Sequence, residues 1–264
     1  MKSSLATLLP LLAGATSAAV ACTSSGSGTP IPSDGGIADG SPDDGQPFCN
    51  SAAAAGAAFC ADFEQSTSVE DGWGGVTMSG GATLTLETAI AQQKKSALAK
   101  LVSVGSDSGT AAFSAVANAS SAQSKVALEF DGRFSFPGGA PAANTLFLTI
   151  ALRTGSGPSG HYFIDIERGS GGWQLLATGT SGEPFLSFSD DAWHHFRLSY
   201  DGSGAQGEIR LFIDSAGVAS ISRPKGPPPG GAPETLDNVL IEHLGVDAAS
   251  SVSFYVDNVI VTYP

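Results

Sequence analysis

Asp165 and Glu167 stand two residues apart in the run His161-Tyr162-Phe163-Ile164-Asp165-Ile166-Glu167, where polar and apolar residues alternate. Alternation of that period is the signature of a half-buried strand, so both carboxyl groups share one face, about 6.5–7 Å apart along the chain. Carboxyls so placed can accept sugar hydroxyls or exchange protons with them, and Phe163 on the same face adds a ring on which a sugar can stack. Arg133, from a second alternating strand, offers a bidentate donor. Trp173 follows Gly169-Ser170-Gly171-Gly172, and a large aromatic in a hairpin turn reads more readily as a rim residue than as core. Arg133, Phe163, Asp165, Glu167 and Trp173 therefore form the candidate carbohydrate-binding set. Any solvated sheet face shows the same alternation, and that plainer account applies to each residue taken singly.

Other reactive residues are placed less productively. The chain has three cysteines and no C-x-x-C. Cys49 and Cys60 can pair in an oxidising compartment, leaving Cys22 as the odd thiol. His161, His194, His195 and His243 include no H-E-x-x-H, and neighbouring His194 and His195 fall on opposite faces of a strand, which argues against zinc. No G-x-S-x-G elbow occurs, and the scattered Ser, His and Asp give no sign of a triad. Gly155-Ser-Gly157-Pro-Ser-Gly160 matches a phosphate-loop pattern but leads into a strand, where no helix N-terminus can take a pyrophosphate. The stretch from Arg223 to Gly230 reads as a stiff, proline-rich connection.

The elements that must position these residues are strands. Only 14% of the 264 residues are charged, 34 are Gly, and short alternating runs recur at Val126–Phe134, Leu146–Leu152, Tyr162–Ile166, Phe196–Tyr200 and Ile209–Ile213. Gly, Ser, Asp and Pro clusters separate them. Thirteen to fifteen strands are expected, with a helical turn or two only at Ser51 to Ala58 and Ser114 to Gln123. One apolar face per strand favours two stacked antiparallel sheets over a membrane barrel. The formal charge of −13, without a basic cluster, argues against nucleic acid as a partner.

The N-terminus carries an address. Met1-Lys2-Ser3-Ser4 precedes a short apolar stretch, Leu5 to Leu12, which reads as a signal peptide and is too short to span a bilayer. Ala18-Ala19-Val20-Ala21-Cys22 resembles the lipobox of bacterial lipoproteins, although Ala19 stands where that family usually has Leu. The resemblance implies that Cys22 is the lipidated first mature residue, and with Thr23 rather than Asp next, that the anchor is in the outer membrane. Ala19-Val20-Ala21 also fits ordinary secretion, with cleavage at the same point. From Thr23 to Pro47 the composition is Ser, Gly, Pro and Asp, that of a disordered tether.

Asp191-Ala-Trp193-His194-His195-Phe196-Arg-Leu198-Ser-Tyr200-Asp201-Gly202, followed by Gly207-Glu-Ile209-Arg-Leu211-Phe-Ile213-Asp214, resembles the hairpin of laminin-G-like and pentraxin-like domains. These belong to the concanavalin A-like lectin/glucanase superfamily. An opening Cys60-Ala-Asp62-Phe63-Glu64 and a closing Phe254-Tyr-Val-Asp257-Asn258-Val-Ile-Val261 fit the same jelly roll. The resemblance implies a structural Ca²⁺ joining the first and last strands, with Glu64 and Asp257 at the ligand positions and Asn258 and backbone carbonyls beside them. The strand from Phe163 to Glu167 is similar to the catalytic strand of family 16 glycoside hydrolases, with Phe163 where the nucleophilic Glu would stand. Without that carboxylate the covalent step is lost, so no catalytic residue is assigned.

The sequence thus implies residues 1–21 as signal peptide, 22–47 as lipidated tether, and 48–264 as an all-β, two-sheet antiparallel jelly-roll sandwich. It implies a non-enzymatic lectin-like module for polysaccharide or surface glycan in the cell envelope. A divergent family-16-like hydrolase and a structural or adhesion module contacting envelope proteins are the alternatives.

Overall fold

A computed structural model describes residues 47–264, except 52–53, 93–94, 103–107, 140, 142, 155–160, 186–187 and 228–229. Cys22, the leader, all of the tether but Pro47, and the Gly155–Gly160 motif lie outside the described residues.

Fifteen strands form two antiparallel sheets among the described residues. The first sheet runs β13 (Ala216–Pro224), β12 (Gln206–Ile213), β11 (Trp193–Asp201), β6 (Lys125–Ser135), β15 (Val252–Thr262), β4 (Ser96–Leu101) and β3 (Thr83–Glu87), with β1 (Phe59–Ala61) on the far end of β15. The second runs β10 (Glu183–Pro184), β9 (Gly172–Ala177), β8 (His161–Gly169), β7 (Thr145–Arg153), β14 (Leu236–Ala248), β5 (Gly109–Gln123) and β2 (Gly75–Met78). This is the expected jelly-roll sandwich, and no helix among the described residues is long and apolar enough to cross a membrane.

Alternation decides which side chains meet between the sheets. Phe130, Phe134, Phe196 and Phe254 project inward from the first sheet, and Phe147, Tyr162, Ile164 and Leu175 from the second. Phe134 is the hub: its ring centroid lies 4.7 Å from Phe254, 4.8 Å from Phe147 and 4.8 Å from Trp173. Room for these rings comes from Gly132, where a Cβ would stand only 3.1–3.3 Å from Phe254, Phe130 and Phe196.

Two local expectations are corrected. Residues Ser114 to Gln123 are the outer half of β5, not a helical turn. Ala115 and Ala117 face the core while Ser114, Val116 and Asn118 face outward, and ladder pairing with β14 overrides the helix preference of an Ala/Ser run. Trp173 is the largest fully buried side chain, 1% exposed, with Phe134, Phe147 and Phe188 rings around it. β9 alternates with Trp173, Leu175 and Ala177 inward, so the residue after the Gly-rich turn is core and takes no part in a rim.

Cys49 and Cys60 form a disulfide, with Cα atoms 5.7 Å apart. The bridge ties the entering chain to β1, and the Cys49 backbone N–H donates to Asp62 Oδ2 at 2.8 Å.

Candidate functional site

The outer face of the second sheet gathers Phe163, Asp165 and Glu167 as the period of β8 requires, since Tyr162, Ile164 and Ile166 are buried between them. Cross-strand register then supplies partners from other strands. Phe163 pairs with Ala151 on β7, Ala151 with Leu240 on β14, and Leu240 with Val116 on β5. These four residues form an apolar row across four strands, about 14 Å long at the usual strand spacing, in which Ala151 is fully buried and Phe163, Leu240 and Val116 present the accessible surface. On one side runs a polar row of His161, Arg153, Asn238 and Asn118. On the other, Asp165 pairs with Thr149 and Leu176.

Glu242 follows Asn238 and Leu240 on this face by the alternation of β14, its Oε1 4.0 Å from His161 Nδ1. Burial pushes the Asp165 carboxyl above its ordinary range; a Thr149 hydrogen bond opposes the shift and the Glu242 charge adds to it. Asp165 Oδ1 has no partner among the described residues. Burial also raises Glu167, and Asp165 adds to that, against the pull of the Asn144 Nδ2 hydrogen bond at 2.9 Å. Carboxyls that keep their protons longer can donate to a hydroxyl as well as accept from one.

The five residues of the expected carbohydrate set do not converge. Phe163, Asp165 and Glu167 share this face, Trp173 lies in the core, and Arg133 is on the outer face of the opposite sheet. There Arg133 sits 5.7 Å over the Tyr255 ring and 3.9 Å from Asp191 Oδ1. In their place the structure brings His161, Arg153, Thr149, Leu240 and Val116 to Phe163 and Asp165. Single-strand alternation could not name these residues, because their placement depends on the order and register of separate strands.

Glu64 and Asp257 are drawn together as β1 pairs with the end of β15 and the segment following β1 crosses toward β4. Asp257 is fully buried, Oδ2 has no partner among the described residues, and burial, helped by the charges of Asp131, Glu64 and Asp62 and opposed by the Asn258 backbone N–H, pushes its carboxyl up to about 8. Glu64 Oε1 accepts the Lys95 backbone N–H at 3.2 Å. Asn258, in the left-handed region at φ 51°, donates from Nδ2 to Asp131 Oδ2 at 2.7 Å, while its buried Oδ1 has no partner among the described residues. No three His, Cys, Asp or Glu residues form a metal-binding group among the described residues. A cation here would be held by two carboxylates, an amide oxygen and backbone carbonyls, a donor set of hard oxygens that fits Ca²⁺.

Two polar clusters were not foreseen. His195 on β11 is clamped between Asp131 (Nδ1, 2.9 Å) and Glu129 (Nε2, 3.2 Å) of β6, and these hydrogen bonds push its imidazole up to about 10. The two carboxylates lie at opposite ring nitrogens, so they form an ionic strand tie and not a shared metal site. His194 faces the other way, as adjacent strand residues must, and bonds Asp214 Oδ2 through Nδ1 at 2.6 Å and Ser189 Oγ through Nε2 at 3.2 Å. The hairpin register, Phe196 opposite Ile213, places Asp214 beside the two histidines; Ser189 comes from a loop with no sequence signal.

No family model matches the sequence, and no curated protein does. Solved structures do match. An endo-β-1,4-glucuronan lyase from the fungus Trichoderma reesei superposes with a TM-score of 0.51 at 14% identity, covering 79% of this chain and 96% of that one. A sialidase gives 0.49 at 13% identity, over 78% of this chain and 18% of that one. The carbohydrate recognition domain of Emp46p gives 0.47 at 13% identity, over 78% and 96%. At such identities the likeness is one of fold: the chain carries a jelly-roll β-sandwich.

Proposed function

We propose that this chain is an envelope lipoprotein whose sandwich binds polysaccharide or surface glycan across the outer face of the second sheet. The observation that carries the reading is the in-register row Phe163–Ala151–Leu240–Val116 with polar residues along both sides. A pyranose has an apolar C–H face and a rim of hydroxyls. The row takes the first, and Asp165, Glu167, Thr149 and Arg153 take the second. The ligand is argued from this face and not from the fold, which serves binders and enzymes alike. With Phe163 in place of a nucleophile, Asp165 and Glu167 serve as hydrogen-bonding groups.

The test is a glycan array and insoluble-polysaccharide pulldown with and without calcium. Saturable binding that weakens about tenfold in Phe163→Ala, as the loss of one stacking ring implies, supports the reading. Equal binding by both proteins, or none to any glycan, removes it.

A structural Ca²⁺ belongs to the same proposal. Glu64, Asp257 and Asn258 Oδ1 would hold it, and its charge would neutralise a carboxylate that is otherwise costly to bury. Cys22 as the lipid-bearing residue, with an outer-membrane address, completes the reading. Release of Cys22→Ser from the membrane fraction, against retention of the parent, tests it.

A further inference from the structure

Ser189, His194 and Asp214 come from three places: the loop after β10, the start of β11, and the two-residue turn between β12 and β13. The turn demands left-handed backbone at both positions, and Asp214 (φ 49°) and Ser215 (φ 68°) supply it, where Asn-Gly would do so at least cost. What Asp214 brings instead is its carboxylate. Oδ2 meets His194 Nδ1, and Oδ1 accepts the His195 backbone N–H at 3.0 Å, so the group is fixed twice. The imidazole is shielded, its side chain 11% exposed with the Phe188 ring 5.0 Å away, whereas Ser189 is open to solvent. Another left-handed residue, Asp191 (φ 63°), follows two positions after Ser189. Backbone held in such conformations gathers where side chains must be aimed.

The geometry points to Ser189 as an acyl-accepting nucleophile, with His194 as its base and Asp214 as positioning residue, in the hydrolysis of neutral acyl esters. With the Nδ1 proton facing Asp214, Nε2 carries the lone pair that takes the Ser189 hydroxyl proton. As that proton moves, Oγ bonds to the ester carbonyl carbon. Collapse breaks the bond to the alcohol, which leaves with the proton from Nε2. Water then adds to the acyl-serine, giving its proton to Nε2, and the carboxylic acid departs as the serine hydroxyl is restored. The Ser189 carbonyl oxygen, 3.0 Å from Nε2, accepts the N–H of the imidazolium formed in each half. Asp190 and Asp191 follow the nucleophile, so an anionic ester is repelled. The site lies apart from the glycan face and does not rest on it.

The test is incubation of the purified full chain with an alkyl fluorophosphonate, read by intact mass and peptide mapping, alongside p-nitrophenyl acetate hydrolysis. One adduct per chain at Ser189 is expected, with esterase turnover falling about a hundredfold or more in Ser189→Ala, an exposed position whose loss leaves the melting temperature unchanged. Asp214→Asn should lower kcat at constant KM, with partial rescue in Asp214→Glu. No adduct at Ser189 in chain shown to be folded by circular dichroism, or equal labelling and turnover in Ser189→Ala, overturns the proposal and leaves the cluster as a cross-link between loop and turn.

Discussion

Reducing the Cys49–Cys60 bridge, or replacing both cysteines by serine, should release the entering segment from β1. The bridged residues are 11 apart in sequence, and closing a loop of that size restricts the unfolded chain by about 9 cal/mol/K, or about 2.8 kcal/mol at 25 °C. For a domain of this length that corresponds to a fall in Tm of about 6–11 °C. In urea the midpoint should move by about 1 M, with a slightly larger m because the unlinked denatured chain exposes more surface. The Cys49 N–H bond to Asp62 is also at stake, so any excess over the entropic figure should shrink in an Asp62→Asn background. The assay is equilibrium urea unfolding followed by tryptophan fluorescence, with and without reductant. A midpoint unchanged by reduction, with mass spectrometry showing two free thiols, would refute the reasoning, since the segment would then hold its place through β1 pairing alone.

Three other outcomes follow from the packing and charges. Trp173→Ala should cost about 3–5 kcal/mol, because the rings around it cannot collapse into the space; urea unfolding checks it, and a cost under 1 kcal/mol would place the ring outside the core. Ca²⁺ at a hundredfold excess over its Kd should add about 2.7 kcal/mol of stability, lost in Asp257→Asn and in chelator; a Tm indifferent to both removes the metal. His243 is 9% exposed and burial holds its imidazole below the ordinary 6.5, so the unfolded chain takes up that proton first as pH falls. Stability should therefore drop as pH goes below 6.5, and the wild-type curve should fall more steeply than that of His243→Gln between pH 7 and 5; parallel curves would refute it.

The fold was legible because period-two alternation is local: β6, β8, β11 and β12 can each be read from one stretch of chain, while in β7 a register shift between Leu146 and Leu148 buries Phe147 beside Leu148 and breaks the parity. The same parity put Phe163, Asp165 and Glu167 on one face. Applied to Trp173, Leu175 and Ala177 it gives the core position of the tryptophan, against the rim position that the Gly-rich turn before it suggests. Arg133 failed for another reason. Parity tells inside from outside but not which of two sheets a strand joins, and outward residues of opposite sheets never meet. The apolar row and the Ser189–His194–Asp214 cluster are products of register between distant segments, which no single window contains.

The strand order has a consequence for synthesis. β15 is the last of these fifteen strands to be made, yet it lies inside the first sheet between β6 on one side and β4 and β1 on the other. Until residues 252–262 have left the ribosome, β6 and β4 have no common neighbour, and the aromatic hub lacks Phe254. The second sheet has all its strands before that point, so the first sheet is the one whose completion waits for the end of the domain.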